Sequence, residues 1–178
     1  MKTIVLCLMI LLSISCMTTF PRFPSLRHHA DPFYDYNDDY APGARFPLID
    51  PIQAMRDGPS SPWSLGLGNF LLVDLPNSQV TYVYYHVEEL EKLAVKNGVI
   101  MAYSSYVDKQ ANAYIQNGYY HWFVIVPDKN ITKGFHTENE FDQYIQTIGI
   151  QNPEWQTPDE EFDKYFQTGC LDWIPDCK

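Results

Sequence analysis

Asn117-Gly118 lies inside the densest β-branched and aromatic run of the chain, VIMAYSSYVDKQANAYIQNGYYHWFVIVPDK over 99–129, and it constrains the fold more than any other feature. Asparagine followed by glycine enters positive φ at little cost, as a two-residue type I′ hairpin turn requires. The run is therefore expected at the centre of a sheet. A turn at this dipeptide sets Gln116 opposite Tyr119, Ile115 opposite Tyr120, Tyr114 opposite His121 and Ala113 opposite Trp122. One face then carries Ala111, Ala113, Ile115, Tyr120, Trp122, Val124 and Val126, and is expected to be core. The other carries Asn112, Tyr114, Gln116, Tyr119, His121 and Phe123, rings mixed with polar tips that suit water or a partner.

Around this hairpin the pattern predicts a meander over 99–126, with strands at 99–107, 111–116 and 119–126. Further strands are expected near 70–75 and 80–85, and Trp63 and Leu65 as a short strand or plug over the core. Good helix formers over 87–97, acids at the start, Lys96 at the end and Gly98 just beyond predict a helix there. Thr137 with Glu140 is a capping box that opens a helix over 138–148, stopped by Gly149. Thr157-Pro158-Asp159-Glu160 opens another over 158–168, stopped by Gly169. The expected class is α+β: an antiparallel sheet with the three helices packed on one face.

The first 15 residues read as an export signal, one Lys followed by an apolar run too short to span a bilayer comfortably. Ser15-Cys16 after that run resembles a bacterial lipobox, with Leu12 one place ahead of the usual leucine. The resemblance covers the signal alone and implies that Cys16 becomes a lipidated N-terminus in the cell envelope. Cleavage near the same point to give a plain secreted protein is the alternative.

Beyond the signal roughly 160 residues remain, enough for one domain. Without Lys2 the 12 basic residues fall to 11 against 22 acids, a surface that repels nucleic acid and anionic lipid and attracts basic proteins or cations. Prolines at 21, 24, 32 and 42 make 16–45 a tether, leaving 46–178 as the domain.

No motif in the chain specifies a reaction. Cys170 and Cys177, closing a short loop in an exported chain, are expected to form a disulfide. The histidines lack metal-ligand spacing, so neither a metal nor a cofactor is expected. His121 beside Tyr114 has the chemistry for acid, base or recognition work, and a self-satisfied cross-strand pair is its plainer account. Ser104 and Ser105 have no activating motif; Asp108, Asp128, Glu138 and Glu140 sit where turns and caps place acids. Asn130-Ile131-Thr132 is a glycosylation sequon where the host is eukaryotic. Three functions fit: an acidic, membrane-tethered binding protein that docks a protein partner in the manner of an inhibitor or immunity protein; a glycan-binding accessory lipoprotein; or a hydrolase whose site the sequence does not display. For the first two the contact residues are Tyr114, Tyr119, His121 and Phe123.

Overall fold

The structure, a computed structural model, describes residues 28–35, 43–74, 81–106 and 120–177. Among the described residues, eight strands form two antiparallel four-stranded sheets, each a simple meander in chain order. The first contains β1 (Ala44–Pro47), β2 (Gln53–Arg56), β3 (Ser64–Asp74) and β4 (Thr81–Val87). The second contains β5 (Leu90–Lys96), β6 (Val99–Ser104), β7 (Trp122–Val126) and β8 (Ile131–Phe135). Two α-helices follow, α1 (Glu138–Thr147) and α2 (Pro158–Thr168). The class is α+β, as the patterning predicts, but its sheet is divided in two.

The helix expected over 87–97 is instead the end of β4 and all of β5. Asn97 and Gly98 have φ of 53° and 76°, the paired positive values of a type I′ turn, and they join β5 to β6 with Lys96 opposite Val99. Gly98, read as a helix stop, is thus the second residue of a hairpin. Tertiary pairing overrode the local helix propensity of Glu, Leu, Lys and Ala.

The central meander also differs. β6 pairs with β5 on one side and β7 on the other, while β7 continues to β8. β6 therefore pairs directly with β7, where the pattern predicts a strand between them. Asn117-Gly118 and the expected strand before it lie outside the described residues.

β7 is buried along its whole length. On one face Phe123 and Ile125 join Leu93, Ile100 and Ala102 of the second sheet, Phe46 and Leu65 of the first, and Tyr165 of α2. On the other, Trp122, Val124 and Val126 pack with Met101 beneath Phe141 and Ile145 of α1. A strand covered on both sides has a continuous apolar sequence, and WFVIV is one.

Both helices begin as expected. Thr137 and Thr157 each close a capping box, with the N3 Glu reaching back to the cap. Gly169 ends α2 in the left-handed region at φ 67°. The N-terminus of α2 is fixed to β2 through Arg56, whose guanidinium lies 4.6 Å from the Trp63 ring centroid and 2.7 Å from Asp159. The same carboxylate accepts from the Trp63 indole N–H at 3.0 Å.

The expected disulfide joins Cys170 and Cys177, with Cα atoms 5.5 Å apart. Its loop carries Ile174, fully buried, and Trp173, whose indole N–H donates to the Pro47 carbonyl at 3.1 Å.

Order begins before the boundary expected at Phe46: Ala44 and Arg45 already pair with Arg56 and Met55. Part of the expected tether is also packed. Tyr34 is buried, its carbonyl accepting from the Tyr165 hydroxyl at 2.6 Å. The buried His29 donates from Nε2 to the Gly169 carbonyl at 2.7 Å, and the Ala30 N–H donates to Asp176 Oδ2 at 2.7 Å. Asp35 closes the segment on itself by accepting from the His29 N–H. Proline here serves a one-turn 3-10 helix, Pro32–Tyr34, rather than an unstructured leash.

Candidate functional site

An open groove of about 550 Å³ runs between β8 and α1. Its floor depends on Gly134. A Cβ there would collide with Cδ2 and Cγ of Tyr120 and come within 2.9 Å of its Cβ, so a bare backbone lets the tyrosine ring lie across the strand. That ring stands 4.7 Å from the His136 imidazole. Across the groove, the half-buried Tyr144 of α1 packs its ring 5.2 Å from Phe135 and holds Lys133 Nζ 4.3 Å from its centroid. Gln143 and Thr147 add polar groups along the wall.

Glu140 supplies the fixed charge. The N–H groups of Thr137 and His136 both donate to Oε2 at 3.1 Å. The Thr137 backbone bond above all, helped by the Thr137 hydroxyl, the His136 N–H and the nearby imidazole, holds the carboxyl below its ordinary value. A carboxyl held this way favours its ionised form, which can accept hydrogen bonds or attract a cation and is a poor proton donor. Glu138 and Asp142 are exposed on the same helix, which has no basic residue in its last turn.

A second aromatic cluster lies under the strap that follows α1. The register aligns Lys92, Tyr103, Trp122 and Phe135 across all four strands of the second sheet. Lys92 Nζ lies 5.1 Å from the Tyr103 centroid, 4.6 Å from Trp122 and 4.8 Å from Trp155. Reciprocal backbone bonds of 2.9 Å between Leu93 and Gln156 hold the strap to the free edge of β5. The ammonium thus fills its own three-ring box, which fastens the strap.

Of the residues expected to form the contact face, only His121 and Phe123 fall within the described residues. Tyr114 and Tyr119 lie outside the described residues, as does Cys16. Phe123, expected on the wet side, is 1% exposed in the core between the sheets, because both faces of β7 are covered. His121 is half-buried and extends the ladder: its Nδ1–H donates to the Ser104 carbonyl at 2.9 Å, and its N–H to the Phe135 carbonyl at 3.0 Å. This is a satisfied cross-strand arrangement with Ser104 as the partner. Ser104 itself is buried and accepts from the Tyr106 N–H at 3.0 Å, while the Ser105 hydroxyl donates to Glu91. Among the described residues, no group of three or more His, Cys, Asp or Glu is placed to hold a metal ion.

The groove was hidden in the sequence because its parts carry structural signatures. Glu140 reads as a cap, Tyr144 as part of a helix stripe, and Tyr120 as a core residue. Gly134 inside a β-rich segment is the one signal that a ring comes close.

No family model, curated protein or solved structure matches the chain.

Proposed function

We propose that this chain is an exported acidic binding protein, anchored to the outer surface of a membrane through Cys16, that docks a protein partner in the manner of an inhibitor or immunity protein. The observation that carries the reading is the groove between β8 and α1, where two tyrosine rings flank a carboxylate held in its charged form. The partner that fits is a basic loop: a Lys or Arg stacks on a tyrosine face and meets Glu140. The chain's net charge of −10 favours the same kind of partner over a long range.

A photo-crosslinker placed at Gln143 in the full protein, followed by identification of the adduct and direct titration, tests the reading. The expected partner is basic, binds less tightly as salt rises, and loses about tenfold or more in affinity with Tyr144→Ala, a loss of the size seen when a ring at the centre of an interface is truncated. Equal affinity for wild type, Tyr120→Ala and Tyr144→Ala would overturn it. Cys16→Ser is expected to shift the protein from the membrane fraction to the soluble one.

The same rings, with Gln143 and Thr147 beside them, give the groove sugar-binding chemistry, and this supports a glycan as the second reading. Saturable retention on a polysaccharide that Tyr144→Ala abolishes, with no protein adduct, selects it.

A further inference from the structure

The turn between β7 and β8 holds a group that the groove does not use. Asn130 is exposed, ends the 3-10 helix Pro127–Lys129 and has φ 52° and ψ 40°, the left-handed conformation that asparagine tolerates better than most residues. Its Oδ1 accepts from the Asn69 side-chain amide, which leaves Nδ2 without a hydrogen bond among the described residues. Two residues on, the Thr132 hydroxyl donates to the Leu67 carbonyl at 3.4 Å, so the third sequon residue belongs to the framework and the first projects from it.

We infer that Asn130 is an N-glycosylation site, modified as the chain is exported. The sequence Asn130-Ile131-Thr132 meets the short acceptor requirement of an exported chain, and Asp128 places a carboxylate two residues before the acceptor. The donor is a lipid-linked oligosaccharide diphosphate. Asn130 Nδ2 attacks the anomeric carbon, the new N–C bond forms as the bond from that carbon to the diphosphate oxygen breaks, the lipid diphosphate leaves, and one amide proton passes to a base of the transferase. Transfer to the unfolded chain precedes the Thr132 bond to Leu67, and the fold then leaves the modified nitrogen in solvent. The glycan stands one residue ahead of β8, the strand at one end of the second sheet, where a bulky hydrated group opposes pairing with another chain.

A purely structural account of Asn130 exists, since asparagine suits this turn, and the experiment separates the two. The inference rests on export but not on the groove. Protein isolated from its own host is fractionated, then treated with peptide-N-glycosidase in heavy-oxygen water, and the peptide containing residue 130 is sequenced by mass spectrometry. Labelled aspartate at position 130 is the expected result. It should be absent from Asn130→Gly, which keeps the left-handed turn, and from Thr132→Ala, but retained in Thr132→Ser. Unlabelled asparagine in protein recovered outside the cytoplasm overturns the site alone; unlabelled asparagine in cytoplasmic protein overturns the site and export together.

Discussion

Glu161 is a buried carboxylate whose Oε2 has no hydrogen-bond partner among the described residues. Burial pushes its pKa above the ordinary 4.5, with Lys164 opposing in part. Folding therefore favours its protonated form. The associated stability is full below the unfolded value and is lost as pH rises through the higher folded one. Glu161→Gln is expected to stabilise the protein at pH 7 by on the order of 1 kcal/mol, the scale of one unsatisfied buried polar group, and to change little near about pH 4. Urea midpoints at the two pH values check this. Asp35 has the opposite sign: the His29 N–H, then His28, hold its pKa below 3.8, so its contribution disappears only as pH falls through that lower folded value. At this scale the caps were legible because Thr137 with Glu140, and Thr157 with Glu160, act within one helical turn. Phe123 was not. Alternation assumes one dry face, and the identity of a residue does not tell how many layers will cover its strand.

Two Asn-Gly dipeptides occur in the chain; Asn117-Gly118 has the richer β-forming surroundings, while the described hairpin forms at Asn97-Gly98. The second was obscured by its neighbours, since Glu, Leu, Lys and Ala form helices unless strand partners are already in place. The β5–β6 turn consequently depends on conformation rather than on space. A Cβ at Gly98 would meet nothing within 4 Å, but φ there is 76°, whereas Gly66 is equally open with no positive φ. Gly98→Ala is expected to cost about 1 kcal/mol and Gly66→Ala distinctly less; denaturant midpoints for the pair measure the difference. The two C-terminal helices were legible end to end, because cap, stripe and stop residue all lie within the element. The partition of strands into two sheets was not, because it depends on which edges meet across long sequence separations.

Across the whole molecule, the disulfide loop and the N-terminal segment form one assembly. His29 and Ala30 are bonded to Gly169 and Asp176, which immediately precede Cys170 and Cys177. Replacing both cysteines by serine is expected to lower stability by ~2 to 3 kcal/mol, as for loss of a short disulfide loop. It should also release residues 28–35. Chymotrypsin cleavage after Phe33 should then accelerate under native conditions far more than cleavage within the sheets. Unchanged cleavage would show that Tyr165 and its bond to the Tyr34 carbonyl hold the segment alone.

If Cys16 carries the lipid proposed above, that docking would also limit how far the folded body reaches. Cys16 and His28 are 12 positions apart, and fully stretched chain gains at most ~3.5 Å per residue, or roughly 40 Å in all. The folded body would then patrol a thin shell above its own lipid surface, and whatever it captures must come to that surface. Freeing residues 28–35 would lengthen the leash and widen the shell without altering the groove.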